Sequence, residues 1–515
     1  MRKIATRVGR SKSSVQRHVQ AKKKRNQHPE SGLWETETGS VWLRLVVFAA
    51  IYLFGIKSGV GAETLSQFFK MIRIDTHVGV SPSALRTQMN KMEALLSKFQ
   101  AECEQNIVQK RRQIVAGLDE TFFGDFLILV LMDLNSGYLL LETITEDRCY
   151  DTWYEKTKPR LEGLGIEVKH AISDRAKALI KMAVTGFECE SGADVFHAQQ
   201  DVSRWLGAKI GKRAAKAQKQ LEEVQEKEDK IKDSTKESRV SALKEQRIRC
   251  EIELKAAQEV QTDYHENLQG IAAEIHPFSL TDSHINDAEE IEARLEIRAQ
   301  AFEEIAKKQA IVDKRKVMTK FRKQFKPLAV SVDFWWLWVR ETLQNLAVEN
   351  TVLEEWLTET LLPVVYWHHK MQQTKHRCAK EKYQQAWEQA SEALKEHPFS
   401  AILSESEIAH WLAWATNMSQ QFQRSSSAVE GRNGCLSQMY HNGRGLSEKR
   451  LKSLTVIHNY GLKRADGTTA ATRLFDSEFP DLFSWLLDQM DELPLPRKSR
   501  ERVVSNPLIL SGVPC

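Results

Sequence analysis

The sequence predicts an α/β domain that is interrupted by a large all-helical segment and preceded by small helical modules. Three observations predict this architecture. Between residues 106 and 206, short apolar runs alternate with helical patterns, as expected for strands with helices between them. From residue 207 to residue 404 the periodicity is helical throughout. The first 105 residues are also helical in pattern and open with a strongly basic stretch.

The overall composition is that of a globular protein. The chain has 515 residues, of which 42% are hydrophobic and 28% are charged, and its net charge is +5. These values exclude a disordered chain. The seven cysteines are scattered and form no CxxC pair. This argues against a disulfide framework and a structural zinc site, and it favours a reducing, cytoplasmic setting.

Residues 1–30 form the first predicted segment. They contain ten Lys or Arg and no acid before residue 29. The stretch IATRVGRSKSSVQRHVQ is typical of a helix-turn-helix, because Gly9 can make the turn and Ser11 can cap the second helix. A disordered basic tail is the alternative. If the second helix reads DNA, the side chains that we expect to face outward are Lys12, Ser14, Gln16 and Arg17.

Residues 31–105 predict a helical domain that either binds DNA or serves as a linker. The first helix is the apolar run from Val41 to Ile56, which contains Arg44 and is slightly short for a membrane span. We therefore expect a buried helix and no membrane. Ser81 and Pro82 predict the cap and the first position of a later helix.

Residues 106–206 predict the first part of the α/β domain. The stretch RQIVAGLDETFF reads as a strand, and ILVLMDLNSGYLLLETI reads as a hairpin with its turn at residues 135–137. The helix TWYEKTKPRLEGLGI, which ends in a Gly-rich turn, comes next, and the strand EVKHAISD and a second helix follow. ADVFHAQQDVSRWL then reads as a strand that runs into a helix.

The rest of the chain divides into three segments. Residues 207–404 predict a helical insertion, whose early charge runs we expect to be solvated faces and whose tryptophans we expect to form a core. Residues 405–475 predict a return to the α/β domain, and residues 476–515 a C-terminal tail.

Three acidic residues have contexts that indicate a shared site. Asp119 lies at the end of a predicted strand, Asp174 where a strand gives way to a helix, and Glu430 near a helix start in SSSAVEGRNGCLS. Each alone could be a helix cap or a turn acid. Together they can meet at the rim of a sheet, where clustered carboxylates need cations. Oxygen ligands favour two Mg²⁺ or Mn²⁺ ions, which suit hydrolysis and transfer at phosphodiesters.

The ordered set LDETFF, SDRAKALI, ADVFH, a helical segment and AVEGRNGCLS resembles the DDE transposases of bacterial insertion sequences. It is most similar to the branch with a helical insertion, the hAT-like and Mutator-like enzymes. The resemblance implies an RNase H-like catalytic domain in which Asp119, Asp174 and Glu430 are catalytic and bind the metal ions. The second interval is too long for an uninterrupted RNase H-like domain, and the insertion accounts for it.

Further residues follow from the same resemblance. DVFH matches the C/DxxH motif of this branch and implies that Asp194 and His197 lie near the active site, although a lone His is more often a core residue. Asn433 is one helical turn beyond Glu430 and could contact the site or DNA. Arg432 and Arg444 suit phosphate contacts, with an exposed basic face as the alternative.

The expected function is therefore a DNA transposase that cuts at element ends and transfers a 3′-OH into target DNA. The expected partners are double-stranded DNA, as terminal inverted repeats and target, and further copies of the chain. The expected location is the bacterial cytoplasm at the nucleoid. Two alternatives stay open: an inactive, DNA-binding derivative of a transposase, and a metal-dependent nuclease without strand transfer.

Overall fold

The computed structural model of the protein describes residues 1–26, 32–34, 36–107, 110–124, 126–231, 237–441 and 446–496. The described chain is mostly helical (70%) and contains one small mixed sheet of five strands. It divides into two compact units. The first unit comprises Met1–Ile107 with Leu436–Cys515, and the second comprises Val108–Cys435.

The elements follow one another in chain order. The first helices are α1 (Arg2–Arg7), α2 (Lys12–Asn26), α3 (Glu37–Ala50), α4 (Ala62–Met71) and α5 (Pro82–Gln105). The sheet region has β1 (Arg112–Phe123), β2 (Phe126–Asp133), β3 (Leu139–Thr145), α6 (Tyr150–Leu164), β4 (Ile166–Ser173), α7 (Lys177–Lys181), β5 (Glu190–Ala193) and α8 (Val195–Val202). The insertion has α9 (Ala208–Ile231), α10 (Glu237–Glu274), α11 (Ala288–Lys308), α12 (Val317–Arg322), α13 (Phe325–Asn345), α14 (Thr351–Glu355), α15 (Leu362–Gln373) and α16 (Arg377–Glu396). Helix α17 (Glu405–Gln421) opens the segment that was predicted to return to the α/β domain, but it packs in the core of the insertion. The last helices are α18 (Ser427–Met439), α19 (Glu448–Val456), α20 (Ala470–Phe475) and α21 (Leu482–Gln489).

The five strands stand in the order β3-β2-β1-β4-β5. Strand β1 is antiparallel to β2 and parallel to β4, while β2–β3 is antiparallel and β4–β5 is parallel. The predicted hairpin turn is confirmed, with Gly137 at a φ of 78°. The predicted end of the helix before β4 is also confirmed, because Gly165 adopts the left-handed conformation that glycine tolerates best. The α/β character of this region is therefore as the sequence predicted.

The insertion has a large aromatic core, which confirms the prediction for its tryptophans. The buried members are Trp335, Trp336, Trp338, Trp356, Trp367, Trp411 and Trp414. Helix α13 also packs on the sheet, where Nε2 of His170 on β4 lies 3.2 Å from Oγ of Ser331. Gly192 on β5 allows this close approach, since a Cβ there would lie 2.7 Å from His170 and 2.9 Å from Ser331. The insertion and the sheet thus share packing.

The far end of the insertion is different. Helices α9 and α10 form a hairpin whose outer part has only a small core of its own, Leu221, Val224 and Cys250 with Leu254. The charges there are paired, as in the ion pair between Arg247 and Glu228 at 3.1 Å.

The first unit is helical, as predicted. Ser81 caps α5 and Pro82 occupies its first position. The apolar helix Glu37–Lys57 is the one helix in the described residues that is long and apolar enough to cross a membrane, and half of its most apolar window is buried. Arg44 on this helix donates to the backbone oxygen of Leu487 at 2.7 Å.

One predicted boundary needs correction. Residues 436–475 were expected to belong to the α/β domain, but they pack with the N-terminal helices instead. The reason is a polar contact of α19 with α5, in which Arg450 pairs with Glu93 at 2.9 Å and Lys449 donates to the backbone oxygen of Asn90 at 2.9 Å. The second unit keeps only the segment up to Cys435, which includes Glu430.

Candidate metal centre

Asp119 is the buried carboxylate at the centre of the site. It lies on β1, which pairs with strands on both sides, and only 7% of the residue is exposed. Its Oδ1 accepts a hydrogen bond from the backbone N–H of Glu120 at 2.9 Å, and its Oδ2 accepts one from Nδ2 of Asn433 at 2.6 Å. The side chain is therefore held in one orientation by a strand and a helix that are far apart in sequence.

Helix α18 reaches β1 because Gly117 has no side chain. A Cβ at Gly117 would lie 2.9 Å from Cγ2 of Val429, so the helix packs directly on the strand two residues before Asp119. A second contact locks the helix: Arg432 makes a two-pronged ion pair with Glu142 on β3, at 2.7 and 2.6 Å. These contacts bring Glu430, with 30% of its side chain exposed, to the face of the sheet that carries Asp119.

Asp194 joins helix α8 to the start of α18. Its Oδ1 accepts from the backbone N–H of Phe196 and so caps α8. Its Oδ2 accepts from Oγ of Ser426 at 2.6 Å and lies 2.8 Å from Nδ1 of His197. The His197 ring then lies with Nε2 3.3 Å from Oε1 of Glu430. The motif DVFH thus supplies both an anchor for α18 and a histidine beside Glu430.

Asp119, His197 and Glu430 form a compact cluster. One ligand atom from each, two carboxylate oxygens and a ring nitrogen, lie within 4.8 Å of one another. Burial and the negative charge of Glu430 raise the pKa of Asp119 to about 7, although the Glu120 N–H and His197 act against this. Burial lowers the pKa of His197, but the hydrogen bond to Asp194 and the surrounding carboxylates outweigh burial and raise it to about 9. The histidine therefore balances the acids as a cation at neutral pH.

The donor set fits a hard divalent cation. Carboxylate oxygens are the preferred ligands of Mg²⁺ and Mn²⁺. Asn433 adds a further observation: its Oδ1 is buried and has no hydrogen-bond partner among the described residues, so an oxygen acceptor in this site is unsatisfied there. A bound cation or its water would satisfy that atom and replace the positive charge of His197. Asp119 and Glu430 would hold the ion.

Asp174 lies outside this cluster. It follows the last residue of β4 directly, is exposed, and its Oδ1 accepts from the backbone N–H of Ala176 at 2.9 Å. Its charge also faces Arg148, whose pKa is raised first by the hydrogen bond to Glu120 and to a smaller extent by Asp174. In this arrangement Asp174 has the turn-acid geometry that was the alternative to a ligand.

The predicted DNA contacts divide into three groups. Lys12, Gln16 and Arg17 are exposed on α2 and Ser14 is half-buried, as an outward-facing set requires, and Ser11 caps this helix by accepting from Ser14 N–H at 3.2 Å. Arg432 differs from the prediction, because its buried guanidinium is occupied by Glu142 and cannot reach a phosphate. Arg444 lies outside the described residues.

Three functional contacts were missed at the sequence level: Gly117, Glu142 and Ser426. Gly117 stands two residues before Asp119, and a glycine inside a strand is a known sign of close backbone approach. Ser426 lies within the serine run that precedes Glu430. Glu142 had no local signal, since a glutamate in a strand reads as a surface residue.

One protein family matches part of the chain. Residues 357–502 match the family described as "Family of unknown function (DUF6399)". No curated protein matches the chain. The matched range contains the end of the insertion and all of α18, including Glu430, but neither Asp119 nor Asp174. The family match therefore covers the helix that carries Glu430, but it does not cover the strands of the sheet.

Proposed function

We propose that this protein is a DDE-type DNA transposase that cleaves DNA at the ends of a mobile element and transfers the freed 3′-OH into target DNA. The observation that carries the proposal is the convergence of Asp119 and Glu430 in one cluster. The whole insertion separates them in sequence, so no local constraint brings them together. Two acids that meet across such a distance, next to a cationic histidine, suit the binding of a metal ion.

The sheet supports the finer proposal that the domain is RNase H-like. A long central strand has an antiparallel hairpin on one side and two parallel crossover strands on the other. This is the arrangement of strands that the resemblance implies. The first acid lies on the central strand and the second follows the neighbouring parallel strand.

Asp174 is the third carboxylate of the proposed site. In the parallel pairing of β1 with β4, Gly117 lies opposite Ile172, so continuing the register by two residues brings residue 174 level with residue 119. The hydrogen bond from Ala176 N–H holds its carboxylate in the turn, on the side of Arg148, and side-chain rotation would release it. The approach of a cation supplies the electrostatic reason for that rotation.

The chain's own groups then have distinct roles. When bound, two Mg²⁺ or Mn²⁺ ions supply activation of an attacking oxygen and stabilisation of the leaving oxygen at phosphorus. Asp119, Asp174 and Glu430 hold them, and Asn433 fixes the orientation of Asp119. Asp194 orients His197 and ties Ser426 to α8, which keeps Glu430 in place. The exposed residues of α2 are the proposed contacts to the terminal repeats. An oligomer of the protein would pair the two DNA ends. The proposed location is the bacterial cytoplasm.

Two assays test the proposal. Nicking of supercoiled plasmid in Mn²⁺ needs no knowledge of the element ends, and joining of labelled duplexes from the DNA that flanks the gene tests strand transfer. Asp119→Asn, Asp174→Asn and Glu430→Gln should each abolish both reactions, because an amide keeps the shape and loses the charge that holds the ions. Glu392→Gln, an exposed change on α16, is the matched control and should behave as wild type.

Two results would count against the proposal. Wild-type protein that neither nicks nor joins DNA contradicts the activity as a whole. Nicking without joining supports the simpler nuclease instead. Cleavage at a near wild-type rate by Asp174→Asn alone would remove only that residue from the proposed set.

A further inference from the structure

A basic cleft lies where the insertion leaves the sheet domain. It has a volume of about 840 Å³ and is bounded by the C-terminal end of α8, by the start of α9 and by the loop before α12. Seven of the thirteen residues that line it are Lys or Arg and one is acidic, Asp201. The seven cations are Arg204, Lys209, Lys212, Arg213, Lys314, Arg315 and Lys320.

The seven cations of the cleft are open to solvent. All seven are exposed, and Arg213 has one neutral partner, Oε1 of Gln309 at 2.5 Å. Within the part of the chain that the structure describes, none of the seven lies within 4 Å of a carboxylate. Two lysines further along α9, by contrast, pair with glutamates: Lys219 with Glu223 at 3.9 Å and Lys230 with Glu226 at 3.6 Å. The cleft therefore has an uncompensated positive potential, which attracts a polyanion.

The wall of the cleft is held in shape by specific contacts. Nε1 of Trp205 donates to the backbone oxygen of Val312 at 3.4 Å, which ties the loop to the helix. Asp313 accepts from the backbone N–H groups of Val317 and Met318, which fixes its carboxylate at the start of α12. The loop thus presents Lys314 and Arg315 opposite the lysines of α9, and Asp201 is the one acid among the residues that line the cleft.

The cleft is aligned with the candidate metal centre. His197 and Asp201 lie four residues apart on one face of α8, and Arg204 lies in the π-helical turn Ser203–Gly207 that continues this helix. Seven residues of helix span about 10 Å. Phosphates of one duplex strand advance by about 3.4 Å each along the axis, so the distance corresponds to about three base pairs.

We propose that this cleft binds the phosphate backbone of duplex DNA about three base pairs away from the phosphate at the metal centre. The inference rests on the proposed function, which places a DNA phosphate at the metal centre. It adds the surface that holds the duplex next to that phosphate. Phosphate contacts of this kind fix position and carry no sequence preference. The cleft would therefore serve any DNA that the rest of the protein has selected.

The test is DNA binding as a function of salt. We compare wild type, the cleft variant Lys209→Gln/Lys212→Gln/Lys314→Gln and the control Lys227→Gln/Lys244→Gln/Lys255→Gln, which removes the same charge from exposed positions of the outer hairpin. Fluorescence anisotropy with a 30-base-pair duplex (a length of about three helical turns) is measured in EDTA over a series of NaCl concentrations. The log–log slope should fall by up to about 2.7 in the cleft variant, since each lost phosphate contact removes about 0.9. The control should keep the wild-type slope.

The outcomes separate the cleft from the proposed activity. An unchanged slope and affinity in the cleft variant overturn the proposal. The same titration with duplex RNA gives a second test: a cleft variant that keeps DNA binding but loses RNA binding also overturns it. The arginine triple variant at the same three positions should retain the slope, because it retains the charge. Since binding in EDTA needs no metal ion, a cleft-dependent slope in a protein that never cleaves DNA supports the cleft and contradicts the transposase alone.

Discussion

At the scale of single residues, the environment of Asp119 is prepared for a cation. Burial and Glu430 raise its pKa to about 7, whereas Asn433 and the Glu120 N–H hold its two oxygens in place. A carboxylate in this position is costly in the absence of positive charge. His197 supplies some of that charge, and a divalent ion would supply more. A metal ion held by these acids, as proposed, would offset the cost of their burial.

The first prediction concerns metal affinity. Asp119→Asn and Glu430→Gln should each weaken Mn²⁺ binding by at least about tenfold, because each removes a charged ligand. Asp194→Asn should weaken it by about 10–100-fold through loss of support to the site. Isothermal titration with Mn²⁺ measures this, with Glu392→Gln as the control. Equal affinities in all four variants and wild type would show that the cluster binds no ion.

The second prediction concerns the ion pair between Arg432 and Glu142. Both side chains are buried, with 4% and 0% exposed. Arg432→Met should cost about 3–5 kcal/mol of unfolding free energy, because it removes one partner of a buried ion pair. Arg432→Met/Glu142→Leu should recover most of the loss. Urea unfolding of both variants measures the difference, and an Arg432→Met protein with wild-type stability but weakened DNA binding would restore the phosphate-contact interpretation.

At the scale of elements, the first part of α18 is placed by three separate contacts within the second unit. Gly117 lets it touch β1, Glu142 clamps it to β3, and Asp194 holds the residue before its start. No single contact determines its position. A helix held at three points keeps Glu430 within reach of Asp119, which a loop would do less reliably.

The third prediction concerns the contact of β4 with α13 and is a pH dependence. His170 is fully buried, and burial lowers its pKa to about 4. The unfolded chain takes up a proton near pH 6.5 and the folded chain only near pH 4, so stability is lost as pH falls through this window. The loss approaches about 1.4 kcal/mol per pH unit, or about 3 kcal/mol in total.

Denaturant unfolding between pH 7 and pH 4.5 measures the effect. His170→Gln should reduce the slope of unfolding free energy against pH by the amount that corresponds to at most one proton, whatever its effect on stability at pH 7. His265→Gln, at an exposed position on α10, should leave the dependence unchanged. The same steepness in both variants would show that His170 does not carry the acid sensitivity.

At the scale of the whole molecule, the insertion is part of the folded second unit and is not an appendage. Its core is continuous from Ala193 on β5 to Phe422, just before α18. It also carries the contacts of α13 with the sheet. Removal of all of it would expose His170 and Gly192 to water, so we expect that such a protein does not fold.

The fourth prediction follows from the different character of the outer hairpin. Residues 224–251 can be replaced by a short glycine-rich loop that joins Glu223 to Ile252, which face each other in the pairing set by Arg247 and Glu228. The shortened protein should keep its unfolding temperature within a few degrees and keep its DNA nicking, because it loses only a small local core. Calorimetry and the plasmid assay measure these. Aggregation or loss of the cooperative transition would show that the hairpin tip is structural.

The sequence by itself determined the local structure and part of the site. Apolar periodicity, Gly137, Gly165, Ser81 and Pro82 depend on interactions between near neighbours, and the strands, turns and caps that they predict are present. The α/β region and the tryptophan core could be predicted for the same reason, because the spacing of apolar residues along the chain indicates which surface is buried.

Only the tertiary structure decided which of these residues meet. Arg432 read as a phosphate ligand because it is a cation in a polar stretch, yet it pairs with Glu142, 290 positions earlier in the chain. His197 joined Asp119 and Glu430, whereas Asp174 stayed outside, because the outcome depends on how one helix crosses one sheet. The seven cations of the cleft likewise come from two separate segments. Contacts between distant residues depend on packing and on the pairing of buried charges, and neither leaves a signal in the order of neighbours along the chain.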